Sequence, residues 1–490
     1  MGEGSRWNVT GQSWVTKLEG NGVIDMRNGG ADETSHAVHI GDLIGSHTFV
    51  MDLDVTNDHI LSDMVFIKGN ATGEQKLWIN SINGLENLQD GDKLRFATVN
   101  SADLKFSGDY NFGSYENAKN GIMLMDNGVL NNAFAINNEK YNESDTENAG
   151  YNGGSGFDEI KPGNEYVDEN YGDNATNWYL SKDSSGDKVS DAGKTIINMS
   201  RANYKNAIYM DRLNKRLGEA RYINGEEEQG MWVRLRHDRI GQSGEFRSQN
   251  TMYELGYDVK QDCDNGERRL GFAVDYMRGS TSYSDIMGKG ETKRYGLWLY
   301  DTWLGDKGHY ADYVLKWGHL SNDFDITAKT TLEKITGDYS NNVFSISAEY
   351  GKKNAMGNNW YFEPQAQLQL ARVTGADYVT TQGSKVSVDG INSLIGRAGF
   401  RLGRDMDENS TVYVKADLLH EFMGDQTITA ADATGTLREE YENKGTWYDV
   451  GFGFAAAVGK NSYAFMDFEK SFGNDNDETY QINAGLQWTF

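Results

Sequence analysis

The stretch Phe362-Glu-Pro-Gln-Ala-Gln-Leu-Gln-Leu370 alternates apolar and polar side chains with a period of two residues. Successive side chains of a β-strand point to opposite faces, so one face of this segment is apolar and the other is polar. The same alternation recurs along the chain after Gly230. Twelve such segments begin near residues 231, 251, 269, 294, 309, 342, 360, 392, 411, 446, 462 and 479.

The connections between these segments alternate in length. Those at 305–308, 351–359, 403–410 and 459–461 are short, whereas those at 279–293, 319–341, 375–391 and 424–445 are long and polar. An even number of alternating strands, with short turns on one rim and long loops on the other, is typical of a transmembrane β-barrel. A soluble barrel would show the same alternation with its apolar face inside. Twelve strands enclose more space than side chains fill as a dry core, which favours a polar lumen.

The polar faces of the segments are therefore predicted to line a pore. The predicted lumen-facing side chains are Glu254, Asp258, Asp275, Asp312, Glu349, Glu363, Gln365, Arg397, Arg401 and Asp417, with further bases at Arg234, Lys316 and Lys415. Tryptophans near segment ends are expected to face lipid at the two membrane interfaces. These are Trp298, Trp303, Trp317, Trp360, Trp447 and Trp488.

The first 135 residues contain short apolar runs separated by Gly, Asn and Asp. Examples are Val23-Ile-Asp-Met26, His36-Ala-Val-His-Ile40 and Met64-Val-Phe-Ile67. Strands at this spacing of about ten to fifteen residues suit a β-solenoid or a sandwich. Residues 136–190 are rich in Asn, Asp, Glu, Gly and Ser, which predicts a flexible linker.

Residues 191–221 form the one segment with a helical period. Apolar residues recur at helical spacing from Ile196 to Leu217, and Ser190 or Asp191 can cap the start. The segment contains seven bases and three acids, although the whole chain has 47 Lys and Arg against 73 Asp and Glu, a net charge of −26. The pattern predicts a basic, amphipathic helix between two acidic parts.

Composition excludes several classes of protein. A net charge of −26 argues against a nucleic-acid partner. Cys263 is the single cysteine, so neither an intramolecular disulfide nor a Cys-cluster metal site can form. No run approaches the roughly 18 apolar residues of a membrane helix. The start, Met1-Gly-Glu-Gly-Ser, lacks a signal-peptide pattern, which predicts either a cytoplasmic protein or a shortened form of an exported one.

No motif predicts catalysis or a bound cofactor. His36, His39, His47 and His59 fall within one stretch, but a spacing of three along a strand puts His36 and His39 on opposite faces. We expect these histidines at turns or on the surface, with no metal. Carboxylate pairs are abundant in so acidic a chain and do not by themselves indicate a glycosidase. The sequence predicts no enzyme activity.

Two groups of motifs resemble one family, the classical autotransporters of monomeric (type Va) secretion. Asn214-Lys-Arg-Leu-Gly-Glu-Ala-Arg221, followed by Gly230-Met-Trp-Val-Arg234, resembles that family's linker helix and first barrel strand. Trp7 to Leu53 resembles the pertactin-like autochaperone end of a β-helical passenger, and Asn177-Trp-Tyr-Leu180 resembles its closing strand. The last residues resemble the C-terminal assembly signal of outer-membrane proteins, with matches at Gly485, Trp488 and Phe490.

This resemblance implies an all-β chain with four parts. They are a right-handed β-helix over 1–135, a linker and closing strand over 136–190, a helix through the pore over 191–229 and a 12-stranded antiparallel barrel over 230–490. The linker-helix residues that match the motif are Asn214, Lys215, Arg216, Leu217 and Gly218. One departure stands out: family members that cleave themselves inside the pore have paired Asn where this chain has Asp211-Arg212. The resemblance therefore implies no such cleavage here.

The function implied is that of a translocator, anchored in the outer membrane, that secretes or displays its own adhesin-like N-terminal passenger. Residues 1–180 would lie at the cell surface. The implied partners are outer-membrane lipid, the barrel-assembly machinery and periplasmic chaperones, with a monomeric barrel and no nucleic acid. The alternatives are a passive porin or transporter with an N-terminal periplasmic domain, and a soluble carbohydrate-binding β-protein.

Overall fold

A computed structural model of the chain describes residues 1–27, 36–55, 62–108, 121–124, 128–141, 174–219, 228–329, 332–474 and 479–490. They form two compact units. The first consists of Met1–Gly193 with two short stretches, Lys329–Leu332 and Ala431–Thr436, and the second consists of the remaining residues from Lys194 to Phe490.

The first unit is a stack of strands that are 2 to 18 residues long. Its strands are β1 (Ser5–Asn8), β2 (Ser13–Asp25), β3 (Ala37–Asp54), β4 (Met64–Ile67), β5 (Glu74–Asn83), β6 (Lys93–Val99), β7 (Lys105–Gly108), β8 (Gly121–Leu124), β9 (Leu130–Lys140), β10 (Thr176–Lys182) and β11 (Lys188–Val189). Every pairing among β1 to β7 is parallel, whereas β8 to β11 pair antiparallel with their neighbours. This is the solenoid that the sequence predicted, with an antiparallel end.

Glycines form one corner of the solenoid. Gly20 and Gly45 lie opposite each other in register, with φ of +106° and +105°. Gly73 repeats this geometry in the next turn of the chain, with φ of +95°, and a Cβ there would lie 2.6 Å from the carbonyl oxygen of Gly45. Side chains rarely adopt this backbone conformation, so the corner depends on glycine.

The solenoid contains buried histidines, which corrects one expectation. The His39 ring stacks between Trp14 and Phe66, with ring centroids 5.1 and 4.8 Å away. His36 and His47 are also buried. The prediction of turn or surface histidines is therefore wrong for these three, because stacked strands cover both faces. His59 lies outside the described residues.

The predicted linker at 136–190 is partly regular. Strand β9 continues to Lys140, and β10 pairs antiparallel with both β6 and β9. Trp178 of β10 packs edge-on against Phe106, with ring centroids 5.2 Å apart. The region between, residues 142–173, lies outside the described residues.

The second unit contains two helices followed by strands. The helices are α1 (Asp191–Ala207), whose first residues belong to the first unit, and α2 (Leu213–Leu217). The barrel strands are β12 (Gln229–Gln242), β13 (Phe246–Cys263), β14 (Gly266–Tyr283), β15 (Met287–Gly305), β16 (His309–Thr327), β17 (Lys334–Lys352), β19 (Trp360–Val373), β22 (Ile391–Asp407), β23 (Ser410–Glu421), β26 (Gly445–Gly459), β27 (Ser462–Phe472) and β28 (Tyr480–Thr489).

Each of these strands pairs antiparallel with the next, and β12 pairs with β28. The sheet is thus a closed barrel of twelve strands, which confirms the predicted fold class. Five short strands lie between them: β18 (Asn354–Gly357), β20 (Ala376–Val379), β21 (Lys385–Val388), β24 (Asp425–Asp432) and β25 (Gly435–Glu442).

The long polar loops were predicted wrongly. Strands β14 and β15 run up to Tyr283 and from Met287, so most of 279–293 is strand. The same holds for 319–341, where β16 and β17 are paired along nearly their whole length. The other two segments contain the four-stranded sheet β20-β21-β24-β25. The strands therefore extend beyond the part that shows apolar and polar alternation.

The apolar faces of the barrel strands point outward. Exposed outward side chains include Leu299, Leu315, Ile346 and Phe452, while the alternate residues are buried inside. Two tryptophans depart from the expected lipid-facing positions. Trp298 is fully buried, and Trp447 packs against a cluster of buried apolar residues that includes Leu419. Among the described helices, none has the length and apolar character needed to cross a membrane.

Candidate functional site: the linker inside the barrel

Helix α1 begins at a serine cap. The Ser190 hydroxyl accepts a hydrogen bond of 3.0 Å from the backbone N–H of Gly193, as the sequence predicted. The helix ends at Ala207, so the predicted single helix over 191–221 is wrong: residues 208–212 separate α1 from α2. Residues 220–221 lie outside the described part.

The barrel wall explains this break. Arg294 of β15 donates to the carbonyl of Ala207 at 3.3 Å, and Gln367 of β19 donates to the carbonyl of Asp211 at 2.7 Å. Glu349 of β17 accepts a hydrogen bond of 2.9 Å from the N–H of Leu213, the first residue of α2. Donors and acceptors from the wall thus satisfy backbone groups that a continuous helix would pair internally.

Contacts of α1 reach strands on different sides of the barrel. The Tyr204 hydroxyl donates to Glu421 Oε2 of β23 at 2.8 Å. Asn250 of β13 donates to the Asn206 side chain at 2.9 Å. Asn322 of β16 donates likewise to Asn203, at 2.8 Å. The end of helix α1, from Asn203 onward, therefore lies inside the barrel.

Arg212 and Lys215 lie against an acidic cluster, which we define as Asp417, Asp449 and Glu469. Arg212 Nη1 is 2.6 Å from Asp417 Oδ2, and Arg212 Nη2 is 3.0 Å from Glu469 Oε2. Lys215 Nζ is 2.7 Å from Glu469 Oε1. The cluster combines residues of β23, β26 and β27, so three neighbouring strands hold two linker bases.

Arg216 occupies a second acidic position on another part of the wall. Its guanidinium lies 2.6 Å from Asp312 Oδ1, and Thr302 accepts a further hydrogen bond at 3.1 Å. The same guanidinium lies 4.3 Å from the centroid of the Tyr300 ring. Such a charge-assisted, stacked arrangement suits arginine better than lysine.

Asp211 reverses this pattern of charge. Its carboxylate accepts two hydrogen bonds from Arg234 of β12, at 2.7 and 2.8 Å, and lies 3.0 Å from Lys316 Nζ of β16. Arg234 is also paired with Glu254. The adjacent residues Asp211 and Arg212 thus contact a basic part and an acidic part of the wall, respectively.

The buried charges of linker and wall are opposite in sign. On the described barrel strands, the buried charged side chains comprise twelve carboxylates and eight bases, an excess of four acids. The buried charged side chains of residues 194–219 show the opposite excess, with four bases and two acids: Arg201, Arg212, Lys215 and Arg216 against Asp211 and Glu219. A buried charge is costly unless it is paired, so the wall and the linker stabilise each other.

Gly218 ends α2 in a confined position. Its φ is +57°, and a Cβ there would lie 2.8 Å from Cβ of Phe465 and 2.9 Å from the ring. Beyond it, Glu219 pairs with Arg401 at 2.9 Å, and Arg401 also pairs with Glu363. Only glycine combines this backbone geometry with this close approach to an aromatic ring.

A cavity of about 190 Å³ lies beside α1 within the lumen. Tyr204, Lys215, Trp447, Asp449, Glu469 and Gln481 contribute to its lining. Two apolar clusters of the lumen also pack against the linker. One surrounds Tyr204 and Ile208, and the other surrounds Leu213 and Leu217. The space that the linker leaves is thus lined by both polar and apolar side chains.

The structure places all ten predicted lumen side chains on the inner face, where they are buried. Asp312, Glu349, Gln365, Arg401 and Asp417 contact the linker directly. The others pair within the wall: Glu254 with Arg234, Asp258 with Arg269, Asp275 with Arg294, Glu363 with Arg401 and Arg397 with Glu349.

Sequence reasoning missed several wall residues that bind the linker. Asp449, Glu469 and Gln481 lie on the polar faces of strands that were predicted, so the alternation alone could have found them. Trp232 and Trp298 were missed for another reason. They are large apolar residues on the polar face, and Lys316 Nζ lies 3.6 Å from the Trp298 ring centroid.

The C-terminal motif residues lie on β28 and just after it. Gly485 faces inward against the Phe465 ring, whereas Phe490 is 51% exposed. The N–H of Phe490 donates to the carbonyl of Gln229 at 3.0 Å, which joins the last residue to the first barrel strand. Within the described ranges, no group of three His, Cys, Asp or Glu side chains could hold a metal ion.

A closed twelve-stranded barrel with its preceding linker bound in the lumen can be compared with known proteins. Residues 229–469 match the family described as the autotransporter beta-domain. The chain belongs to the autotransporter family. Its β-domain is the barrel, and the segment inside it immediately precedes that domain in the chain.

Two curated relatives extend this comparison. The pertactin autotransporter of Bordetella parapertussis is 29% identical over 286 residues, which are 57% of this chain and 30% of that protein. Serine protease EspP of Escherichia coli is 31% identical over 288 residues, which are 57% of this chain and 22% of that protein. This autotransporter chain thus spans less than a third of the length of these relatives.

A solved structure, the beta domain of the Bordetella autotransporter BrkA, is 25% identical. It aligns with a TM-score of 0.44 and covers 54% of this chain and all of that one.

Proposed function

We propose that this autotransporter chain delivers its N-terminal region to the cell surface and then closes its own pore with residues 194–219. The observation that supports this most directly is the position of α1 and α2 inside the barrel, bound to inward-facing residues of β13, β16, β17, β23 and β27. Linker and barrel are complementary in charge. A segment outside the barrel would have no need of these paired, buried charges.

Strand number supports the direction of transport. Twelve antiparallel strands put both ends of the barrel on the same side, which is the periplasmic side in this class of protein. A segment that precedes β12 and runs through the lumen emerges on the opposite side. We therefore place the first unit at the cell surface, as the displayed part of an adhesin-like passenger with no enzymatic role.

Protease treatment of intact cells tests this proposal. We expect the protease to digest residues 1–180 and to leave the barrel and the segment 194–219 intact, because the barrel wall protects the segment. Cells opened to the periplasm provide the control. If residues 1–180 are digested only after opening, the first unit is periplasmic and the porin-like alternative replaces the proposal.

We propose further that the linker stays covalently intact. Asp211 holds two basic side chains of the wall and carries no side-chain amide that could attack the backbone. The purified chain should therefore show a single mass through extended incubation. A spontaneous cut between residues 200 and 219 would contradict this.

The barrel-assembly machinery, periplasmic chaperones and outer-membrane lipid are the proposed partners of a monomeric barrel. The exposed Phe490 is the proposed recognition residue. Its deletion should lower the amount of barrel in the outer membrane without changing barrels that do assemble. Equal amounts of the full and the shortened chain in the membrane would show that Phe490 is not needed for recognition.

A further inference from the structure

Four rings form a row on the outer surface of the barrel. Tyr253, Tyr276, Tyr295 and His319 follow one another in register on β13, β14, β15 and β16. All four side chains point outward, and the Tyr276 and Tyr295 rings lie 5.2 Å apart. Amphipathic rings of this kind mark the boundary between the hydrocarbon and the headgroups of a membrane. Apolar residues such as Val274 and Leu297 continue on the membrane side.

Two bases follow directly on the other side of this row. Arg278 and Lys293 are opposite each other in the β14–β15 pairing, two residues beyond Tyr276 and Tyr295. Both point outward, and the Arg278 side chain is 64% exposed. Like charges directly opposite each other destabilise a sheet. Their flanking residues in the same row, Thr251 and Ser321, are uncharged.

The nearby acids lie one row further out. Glu291 is opposite Asp323, and its carboxylate lies 3.3 Å from Arg278 and 3.0 Å from Lys289. Asp323 in turn interacts electrostatically with Lys289 and Lys293, so three bases face two carboxylates here. The order from the membrane outward is apolar residues, rings, bases and then acids. The bases are the charges nearest the predicted headgroup level.

We propose that Arg278 and Lys293 bind the phosphate of an anionic lipid headgroup. A guanidinium binds phosphate through two parallel hydrogen bonds, and an ammonium adds a point charge. A phosphate between the two bases would also relieve their mutual repulsion. The site matters because the chain as a whole has a net charge of −26, which repels anionic lipid elsewhere. This inference rests on the proposed membrane position of the barrel.

Native mass spectrometry of the full chain in detergent micelles tests the site. Dioleoyl phosphatidic acid is the probe, and dioleoyl phosphatidylcholine is the uncharged comparison. Expected is retention of phosphatidic acid over phosphatidylcholine. R278Q/K293Q should weaken this retention by roughly 20- to 30-fold, about fivefold for each base removed. Arg372, an outward base that lies opposite Asn392, provides the control, and R372Q should retain the lipid as the parent chain does.

Equal retention by the parent chain and R278Q/K293Q would overturn the proposal. So would full displacement of the lipid by inorganic phosphate, because the site would then take the free ion and not a lipid. The mobility shift of the barrel on heating shows whether each variant is folded. The outcome is independent of the protease experiment above. Lipid binding is measured on the purified chain, whereas the protease experiment reports the orientation of the chain in cells.

Discussion

The N–H of Leu213 and Oε2 of Glu349 are 2.9 Å apart, so a barrel strand caps a helix of the linker. Glu349→Ala removes this acceptor, whereas Glu349→Gln retains an oxygen there. We expect amide exchange of residues 213–217 to rise about 5- to 30-fold in the alanine variant, since a lost cap costs about 1–2 kcal/mol. The glutamine variant should exchange less than the alanine variant. Equal exchange in both would contradict the capping role.

Charge reversal should loosen the closure of the pore. In R212E/K215E/R216E, three new carboxylates face the acidic cluster and Asp312, so the linker should leave the lumen more often. We expect severalfold higher ion conductance in planar bilayers, with assembly of the barrel unchanged. Lys194→Glu, at the exposed start of α1, is the control. Unchanged conductance would show that apolar contacts hold the linker.

Swapping Asp211 and Arg234 should largely preserve the ion pair between linker and wall. Asp211→Arg alone places a base against Arg234 and Lys316, which should destabilise the folded linker by about 3–5 kcal/mol, as for other broken buried pairs. Adding Arg234→Asp should restore much of this. The measurement is the heating temperature at which the compact, fast-migrating form of the barrel is replaced by the unfolded form on a gel. Absence of any recovery in the double variant would show that the pair does not act as a unit.

Gly218 should tolerate no side chain. We expect Gly218→Ala to destabilise the seated linker by about 1–3 kcal/mol, through its positive φ and the contact with Phe465. Phe465→Leu in the same chain should relieve the steric part only. Protease sensitivity of residues 213–219 reports the effect. An unaffected Gly218→Ala variant would mean that the backbone can shift there at little cost.

The solenoid should lose stability in mild acid. Burial, reinforced by the charge of Lys68, lowers the pKa of His39 to about 4. In the unfolded chain its pKa is about 6.5, so the unfolded state binds the extra proton as the pH falls from about 6.5 to about 4 and stability decreases over this window. His39→Phe retains a ring between Trp14 and Phe66 and removes the titration.

Urea titration followed by pulsed amide exchange measures this effect. Peptides covering β2 to β4 should report a lower urea midpoint at about pH 5 than at about pH 7 in the parent chain, and a smaller difference in His39→Phe. Identical differences in the two chains would show that other groups determine the acid response.

Prediction from sequence succeeded where one face of a strand meets lipid. All twelve barrel strands were found, because membrane and lumen impose opposite polarity on alternate residues. It failed at residues 279–293, where neither face of the strands is apolar: Lys289, Glu291 and Lys293 alternate with Gly290 and Thr292. Polarity on both faces resembles a loop in the sequence, although the backbone pairing continues.

The break between α1 and α2 was unpredictable for a different reason. No proline or glycine marks residues 208–212, and the groups that end α1 and begin α2 come from Arg294, Gln367 and Glu349, far away in the sequence. Trp298 shows the same limit. The alternation of polar and apolar residues around it indicated a strand, but only its neighbours in space, Lys316 and Asp275, explain its inward position.

The excess of four acids on the barrel wall has a consequence for the order of events in secretion. Residues 1–190 contain 13 bases and 30 acids, so an acid-rich lumen offers this part of the chain little to adhere to during transit. Residues 194–219, which follow it, have an excess of four bases. We expect the acidic wall to bind the acidic passenger weakly during its passage. Transport should stop when the basic residues of 194–219 enter the lumen and pair with the carboxylates of the wall.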